Sequence, residues 1–290
     1  KMLPQGRLFG QRIAFFLRAD NNLYQTLDSR FLAFRFFDMQ TPLPQHLDAL
    51  QQMRPTILVA PASVLARLAD FQKRGCLNLS LQKVISVAEV LETRDAAHIA
   101  AAFRRPFVDQ IYQATEGFLA ATCRCGTLHL NEDIVMVEPE WLDDTRFIPV
   151  ITDLKRRSQA FVRYRLNDIL HIRREPCPCG SPHLALSQIE GRTDDVFVFE
   201  NRQGATVEIY PDFIRRCILF VDGIREYRVC QTDSHTLEIA LSDGLGQQQS
   251  AIVCRFENLM AQYGIEGVQY RFIPYTQPDN RKLKRIERKI

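Results

Sequence analysis

The sequence contains no apolar run of the roughly 20 residues that a membrane-spanning helix needs. It also opens without the apolar stretch and the cleavage site of a signal peptide. We find neither an internal repeat nor a low-complexity segment. These absences predict a cytoplasmic protein without a membrane partner, in which the eight cysteines are thiols or metal ligands rather than disulfides.

The chain also carries little net charge. Its 37 lysines and arginines oppose 34 acidic residues, a balance of +3 that does not by itself indicate nucleic acid. The basic stretch from Arg281 to Lys289 could be a solvated end, and it contains no aromatic residue for base stacking, which argues against nucleic acid as a partner. With 46% apolar residues the composition is that of a globular protein. Because the sequence does not begin with methionine, we expect it to be part of a longer protein.

Short apolar runs alternate with amphipathic segments up to about residue 126. The runs RIAFFL, TILVA and KVISV look like buried strands, and ASVLARLADFQKRG and TRDAAHIAAAF have apolar residues at helical spacing. FVDQIY leads into IYQATEGFLA (Ile111–Ala120), which we interpret as a strand followed by a helix that Thr115 could cap. The alternation predicts a mostly parallel α/β subdomain over residues 1–126, with ligands at the carboxyl ends of its strands.

Two other patterns follow along the chain. The runs DIVMVE, RFIPVIT, AFVRYRL and DILHIRR are separated by polar turns and predict a small antiparallel β-barrel region over residues 127–193. After GRTDD, the order helix, strand, strand, helix, strand predicts a small ferredoxin-like α+β domain over residues 194–290. The predicted fold class is therefore α/β plus α+β.

Two Cys-x-Cys-Gly pairs suggest a metal site. Each pair can offer two thiolates on one tight turn, and four thiolates suit a tetrahedral, structural Zn²⁺. The alternative is four unrelated thiols. The predicted ligands are Cys123, Cys125, Cys177 and Cys179, with His129 and His183 as reserve ligands.

Four short motifs stand at strand ends or at the last boundary: SVAEV (Ser86–Val90), YQATEG (Tyr112–Gly117), RYRLND (Arg163–Asp168) and GRTDD (Gly191–Asp195). Each alone is more often a turn or a helix start than a site. Because the four motifs occur in this order and at this spacing, the chain resembles the adenylate-forming superfamily. Within that superfamily it resembles the phenylacetate–CoA ligase and coenzyme F390 synthetase-like branch. The segment DNRKLKRI resembles the closing lysine motif of that superfamily.

The resemblance implies an acid–thiol ligase. With ATP and Mg²⁺ the protein would activate a carboxylic acid as an acyl-adenylate, and the branch resemblance implies an aryl acid; the acyl group would then be transferred to a thiol such as CoA. Transfer to an amine, giving an amide ligase, is a close alternative, and a non-catalytic zinc-stabilised binding module is a different class. The sequence leaves open whether the protein forms a homodimer.

The resemblance also assigns nucleotide-binding roles to individual residues. Ala88 and Glu89 would lie along the adenine, and Tyr112 would offer a flat face near it. Asp168 would accept both ribose hydroxyls. Arg192 would pair with phosphate or ribose as a planar fork.

The remaining roles implied by the resemblance concern chemistry and motion. Thr115 would offer its hydroxyl to phosphate, and Glu116 would be a ligand of Mg²⁺. Asp194 matches the hinge residue of a mobile lid domain. Lys282 falls on the catalytic lysine, with Lys284 as the reserve candidate because the neighbouring cations make the alignment ambiguous.

Two departures from the family pattern limit the prediction. Leu166 and Asn167 replace the Thr-Gly that precedes the aspartate in the family motif, which removes a hydroxyl and a flexible residue. The Ser/Thr/Gly-rich phosphate loop of the family is absent from the sequence. Whether this chain alone is active is therefore open.

Overall fold

The computed structural model describes residues 3, 9–17, 32–39, 41–242, 247–276 and 284–289, without the side chains at positions 194, 212 and 247. The chain divides into two compact units. The first comprises Lys1–Leu166 and Leu170–Ile189, and the second comprises Asn167–Ile169 and Glu190–Ile290. In the described ranges, every helix is too short or too polar to cross a membrane.

Five strands of the first unit form a parallel sheet in the order β2-β1-β3-β4-β5. They are β1 (Gln11–Leu17), β2 (Leu32–Asp38), β3 (Ile57–Ala60), β4 (Lys83–Ser86) and β5 (Asp109–Ala114). Helices α1 (Leu47–Met53), α2 (Ala62–Lys73) and α3 (Thr93–Ala102) connect them. All four residues of β3 are buried, as expected for a parallel strand with both faces covered. The predicted mostly parallel sheet is confirmed.

The same sheet continues with antiparallel strands. Beyond β5 the order is β6-β7-β12-β11-β9-β10, and β8 pairs with β9. These strands are β6 (Gly117–Thr122), β7 (Leu128–Leu130), β8 (Val135–Trp141), β9 (Arg146–Asp153), β10 (Tyr164–Arg165), β11 (Asp168–Ile172) and β12 (Ala185–Arg192). Residues 127–189, all of which the structure describes, contain no helix, as the sequence predicts.

The segment after YQATE is a strand and not a helix. Residues Gly117–Thr122 form β6, which pairs antiparallel with β5 through Ala114 and Gly117 and with β7 on its other side. Thr115 therefore occupies a two-residue hairpin turn and caps no helix. The prediction of a helix was wrong because a short apolar run fits either element, and two neighbouring strands satisfy its backbone here.

The predicted strand AFVRYRL is also shorter than expected, since only Tyr164–Arg165 pairs, with β9. Arg163 has a φ of 49°, in the left-handed region that extended strands do not use. Val162 just before it has an exposed fraction of 69%. The chain turns there, and the strand begins after the turn.

The second unit has its own core and a four-stranded sheet in the order β17-β16-β15-β18, with a separate hairpin of β13 and β14. Its elements are β13 (Phe197–Glu200), β14 (Thr206–Ile209), α4 (Pro211–Leu219), β15 (Tyr227–Gln231), β16 (Thr236–Leu241), α5 (Gln247–Gln262), β17 (Gln269–Pro274) and β18 (Ile286–Arg288). The buried side chain of Gln231 bonds both the N–H and the carbonyl of Val198, which joins the hairpin to β15. The predicted order of helices and strands is present, and the sequence analysis missed β13, β14 and β18.

Candidate functional site

The loops after β3 and β4 meet at the carboxyl edge of the parallel sheet. Residues Val87–Val90 follow β4, and Ala88 in this loop is exposed with a φ of 65°. The carboxylate of Glu89 accepts the N–H of Ser63 at 2.9 Å, in the first turn of α2. Pro61 precedes that helix and its side chain accepts no hydrogen bond from the first N–H groups. Glu89 supplies an acceptor for these groups instead.

The end of β4 also holds a buried hydroxyl. Ser86 has an exposed fraction of 2%, and its Oγ has no hydrogen-bond partner among the described residues. A buried hydroxyl without a hydrogen-bond partner lowers the stability of the fold unless another group forms a hydrogen bond with it. Ser86 is the first residue of the SVAEV motif, and the resemblance assigns it no role.

The turn between β5 and β6 lies at the same edge, because β5 runs parallel to β4. Thr115 is exposed there and Glu116 is half-buried. A second carboxylate lies close to this turn: a Cβ at Gly117 would lie 3.4 Å from Oδ2 of Asp153. The N–H groups of Lys155 and Arg156 bond Asp153 and hold its pKa below the ordinary value. The sequence analysis missed Asp153, although an aspartate directly after a predicted strand was the available signal.

Tyr112 lies in the core and not on an open surface. Its exposed fraction is 8%, and it belongs to a cluster with Leu119, Ala120 and Phe147. It faces Ala120 across the pair of β5 and β6, next to an irregularity in their pairing. The structure therefore places its ring among apolar side chains.

Two of the predicted nucleotide-binding residues come together in the second unit. Nε of Arg192 lies 3.8 Å from Oδ1 of Asp168, close enough for charge pairing and too far for a hydrogen bond. The N–H of Thr193 donates to the carbonyl of Asn167 at 2.7 Å, which ties the two backbone segments together. The arrangement offers a carboxylate and a guanidinium side by side.

The hinge and lysine motifs lie in the same unit. Asp194 is in a short 3-10 turn, Thr193–Asp195, and Lys282 lies outside the described residues. Lys284, the reserve candidate, has its Nζ 2.9 Å from Oδ1 of Asp195. Burial raises the pKa of Asp195 above its ordinary value, and Lys284 counteracts that rise. This ion pair was not foreseen from the sequence.

A compact group of metal-ligand side chains lies in the first unit. The ligand atoms of Cys123, His129, Cys177 and Cys179 all lie within 4.8 Å of one another. The Sγ atoms of Cys123 and Cys177 are 3.7 Å apart, and Cys179 Sγ is 3.5 Å from His129 Nε2. A tetrahedral Zn²⁺ with its usual bond lengths requires about 3.8 Å between sulfurs and about 3.6 Å between sulfur and nitrogen. The geometry fits zinc.

The surroundings of the group also suit metal ligands. Nδ1 of His129 donates to the carbonyl of His183 at 2.9 Å, which leaves Nε2 to face the three sulfurs. The N–H groups of Cys125 and Ser181 bond the sulfurs of Cys123 and Cys179. Hydrogen bonds to Cys177, of which that from Thr127 has the largest effect, lower the pKa of its thiol to about 5. For Cys179 the lowering by the N–H of Ser181 is outweighed by burial and the neighbouring Cys177 and Cys123, which raise its pKa, so Cys177 becomes a thiolate before Cys179 does.

The group differs from the predicted four cysteines in one position. Cys125 is exposed and is not part of the group, whereas His129 occupies the fourth place. A tight turn explains the difference: the N–H of Gly126 donates to the carbonyl of Cys123 and closes it. The side chain of Cys123 points into the group, whereas Cys125 contributes only its backbone N–H, which donates to the sulfur of Cys123. His183 contributes its carbonyl, and its ring lies 3.8 Å from Glu132.

Known proteins resemble this chain in sequence and in fold. No family model matches the chain. Over 92 residues, 31% of this chain, it is 27% identical to a phenylacetate–coenzyme A ligase of Thermus thermophilus, and the match covers 20% of that protein.

Solved structures of ligases share the fold. A 2-hydroxyisobutyryl-CoA ligase in complex with R3-HIB-AMP superposes with a TM-score of 0.69 at 19% identity, over 96% of this chain and 65% of that one. The anthranilate CoA ligase AuaEII in complex with anthranoyl-AMP has a TM-score of 0.64 at 13% identity and covers 95% and 60%. The amide bond synthetase McbA of Marinactinospora thermotolerans has a TM-score of 0.64 at 15% identity and covers 93% and 60%.

The chain thus spans less than two thirds of the length of these proteins. Its fold is theirs over almost all of its own length. The predicted resemblance to a phenylacetate–CoA ligase is therefore confirmed by sequence over one stretch of 92 residues, and the solved structures show that the chain shares its fold with acyl-CoA ligases and an amide bond synthetase.

Proposed function

We propose that the protein containing this chain uses ATP to convert a carboxylic acid into an acyl-adenylate and then transfers the acyl group to the thiol of CoA. The observation that carries the proposal is the carboxyl edge of the parallel sheet. The loop with Ala88 and Glu89 follows the end of β4, and the turn with Thr115 and Glu116 follows the end of β5, which runs parallel to β4. Ligands of parallel α/β sheets bind at such edges.

In the first unit, Glu116 and Thr115 act on the phosphates. The accessible carboxylate of Glu116 is a hard oxygen ligand of the kind that Mg²⁺ takes, and the hydroxyl of Thr115 donates to a phosphate oxygen. Mg²⁺, when bound, would offset the negative charge of ATP and of the attacking carboxylate. Asp153, next to Gly117, adds a second negative charge beside the turn.

In the proposed complex, backbone groups hold the adenine. The carboxylate of Glu89 already accepts a hydrogen bond from the N–H of Ser63. In the proposed complex, the backbone groups of Ala88 and Glu89 therefore form the hydrogen bonds with the edge of the adenine. The ring of Tyr112 is buried among apolar side chains, so it supports this edge of the sheet from within the core and does not face the base.

In the second unit, Asp168 accepts the ribose hydroxyls and Arg192 pairs with phosphate or ribose; their proximity supports a shared ligand. Lys282 supplies the ammonium that stabilises the negative charge of adenylation. We assign residues 1–126 to the α/β part of the large domain, 127–193 to its β-barrel region and 194–290 to a mobile ferredoxin-like lid. The lid turns about Asp194 between the two half-reactions.

The proposed acid is aromatic. Two of the similar proteins act on aromatic acids by name, phenylacetate and anthranilate, whereas the 2-hydroxyisobutyryl-CoA ligase acts on an aliphatic one. Transfer to an amine is the second candidate, and the likeness to an amide bond synthetase supports it.

We also assign a structural Zn²⁺ to Cys123, Cys177, Cys179 and His129. With four protein ligands no position stays open for chemistry. The metal would join the turn between β6 and β7 to the loop before β12 and so brace the strand that follows the Glu116 turn.

The test is ATP–pyrophosphate exchange by the full-length protein over matched panels of aryl and alkyl acids, with Glu116→Gln as the matched inactive variant. Acid-dependent exchange that Glu116→Gln abolishes supports adenylation. Mass spectra of the products with CoA or with an amine then separate the two acceptors. A full-length protein that binds zinc and folds, yet exchanges pyrophosphate with none of the acids, would instead be a binding module.

A further inference from the structure

Residues 127–189 carry eight lysines and arginines, and most of these are paired with a carboxylate. Five of them lie within 4.0 Å of an acidic side chain: Arg146, Arg163, Arg165, Arg173 and Arg174. The other three, Lys155, Arg156 and Arg157, are consecutive and exposed in the loop between β9 and β10. Within the part of the chain that the structure describes, no carboxylate lies that close to their charged groups. This loop therefore presents positive charge that the sheet around it neutralises elsewhere.

The loop that carries these charges has a defined shape. Oδ1 of Asp153 accepts the N–H of Lys155 at 2.7 Å and that of Arg156 at 2.9 Å. The N–H of Asp153 donates to the carbonyl of Phe161 at 2.9 Å, which closes the neck of the loop. The guanidinium of Arg156 lies 5.1 Å from the centre of the buried Phe161 ring. Arg156 is thus held against the loop, and Lys155 and Arg157 are the cations with no such contact.

The loop begins beside the turn between β5 and β6, in the same unit. A Cβ at Gly117 would lie 3.4 Å from Oδ2 of Asp153, so Asp153 lies against the residue that follows Glu116. Lys155 and Arg157 come two and four residues after Asp153, and such stretches of chain span at most about 7 and 14 Å. The exposed cations therefore lie near the proposed phosphate site.

Exposed apolar and aromatic side chains flank the cations. Leu154 and Val162, at the two ends of the loop, have exposed fractions of 57% and 69%, and Tyr164 just beyond it is 45% exposed. The ring of Tyr164 meets that of Phe161 edge to face, with 5.4 Å between their centres. A nucleotide base can stack on an exposed aromatic ring while lysine and arginine bind its phosphates. The loop offers both kinds of contact.

We propose that the loop between β9 and β10 binds the nucleotide end of CoA, with Lys155 and Arg157 on its phosphates and Tyr164 against its adenine. The inference rests on the proposed transfer to CoA. CoA carries its phosphates at one end and its thiol at the other, so its phosphates bind beside the reacting atoms. The phosphates of ATP are assigned to Mg²⁺, Thr115 and Glu116 at the turn itself, which leaves the loop for a second polyanion. An amine acceptor without phosphates would have no use for these cations.

The kinetic test follows the thiol half-reaction of the full-length protein, started from preformed acyl-adenylate. Lys155→Gln and Arg157→Gln should each raise KM for CoA by about 3- to 10-fold, since each removes one solvent-screened contact with phosphate. The double variant should raise it by about 10- to 100-fold. Arg174→Gln is the matched control, because it removes an exposed arginine of the same sheet that Asp144 already pairs with, and KM for CoA should stay unchanged. KM for ATP and the melting temperature should stay unchanged in every variant.

Dephospho-CoA, which lacks the 3′-phosphate, tests the same contacts without catalysis. Calorimetric titration of the full-length wild type should show CoA binding about 10-fold more tightly than dephospho-CoA. This preference should shrink as the salt concentration rises and disappear in the double variant, because it arises from exposed charges. Arg174→Gln should keep it.

The outcomes separate this proposal from the proposed function. Acyl-CoA formation with the same KM for CoA in wild type and double variant overturns the role of the loop and leaves the function intact. A double variant with a raised KM for ATP and an unchanged KM for CoA assigns the loop to the pyrophosphate part of ATP, which also overturns it. A wild type that exchanges pyrophosphate but neither forms acyl-CoA nor binds CoA refutes the transfer to CoA, and the proposed loop site with it.

Discussion

Replacing His129 should weaken zinc binding, whereas replacing Cys125 should not. Cys125 lies in the turn between β6 and β7 and His129 lies in β7, but only His129 has its ligand atom within 4.8 Å of the three sulfurs. Structural zinc sites of four ligands bind with about 10–16 kcal/mol, or about 2.5–4 kcal/mol for each ligand. His129→Ala should therefore lower the affinity for Zn²⁺ by about 10²–10³-fold, by the usual conversion of free energy to affinity.

The assay combines elemental analysis of protein purified without chelator with competition against a chromophoric chelator. Wild type and Cys125→Ala should each hold close to one zinc per chain and compete equally. His129→Ala should release its zinc at far lower chelator concentration and melt at a lower temperature, because bound metal stabilises the folded state by its binding free energy.

Alkylation gives an independent view of the same site. In the zinc-loaded protein the exposed Cys125 should react, while Cys123, Cys177 and Cys179 stay protected until chelator is added. A Cys125→Ala variant that loses zinc while His129→Ala keeps it would refute the assignment of His129. A wild-type protein that binds no zinc would refute the site itself.

Three other predictions concern the proposed site. Glu116→Gln in the full-length protein should raise the barrier to adenylation by about 2–4 kcal/mol in pyrophosphate exchange, since it removes a charge from the proposed Mg²⁺ ligand, while the melting temperature stays unchanged. Asp194→Pro should impair one half-reaction selectively, because proline fixes φ near −65° at the proposed hinge, and separate assays of adenylation and thiol transfer would show which. Lys284→Ala should destabilise the fold by about 1–3 kcal/mol near neutral pH, between the values for exposed and buried ion pairs, and urea titrations across pH would measure it.

The sign of that pH dependence follows from Asp195. Its pKa is raised by burial and lowered by Lys284, so removing the lysine raises the pKa further. A carboxyl whose pKa is higher in the folded state stabilises the fold below its unfolded value of 3.8 and loses that contribution as the pH rises through the folded value. The deficit of Lys284→Ala should thus be small at pH 4, grow towards neutral pH, and vanish in an Asp195→Asn background.

Other outcomes would contradict these predictions. A Glu116→Gln variant that exchanges pyrophosphate at the wild-type rate leaves Glu116 as an ordinary turn residue. Equal loss of both half-reactions in Asp194→Pro, or of neither, argues against a hinge with two positions. A deficit of Lys284→Ala that is constant from pH 4 to pH 8 excludes Asp195 as its partner.

The parallel half of the first unit could be predicted because its signals are local. The runs that become β1, β3 and β4 are apolar, short and bounded by turn residues, and the helices between them have one apolar face. The run GFLAAT has no such local signal. This short and mostly apolar run, with two alanines and a leucine, suits either element, and its pairing with β5 on one side and β7 on the other makes it a strand.

The candidate site, too, could be predicted from the sequence only where its signals are local. Cys-x-Cys-Gly spacing indicates which turns could hold a metal, but it does not show which way each side chain points once the turn is closed. His129 enters the group because β7 pairs with β12 and brings it opposite Ala185, beside the second cysteine turn. The Asp195–Lys284 pair joins residues far apart in sequence and likewise has no local signal. The hinge role of Asp194, the domain boundaries and the catalytic role of Lys282 stay predictions.

The position of β18 in its sheet has a consequence for synthesis of the protein on the ribosome. β15 can pair with β16 as soon as the hairpin leaves the exit tunnel, but its other edge waits for residues 286–288. Until then Tyr227 lacks the guanidinium of Arg285 that lies over its ring, and Asp195 lacks Lys284. The nascent second unit therefore exposes an open strand edge of the kind that pairs with other chains. Truncation upstream of Lys284 should leave that edge open permanently, so prematurely terminated chains should aggregate or engage chaperones more than complete ones.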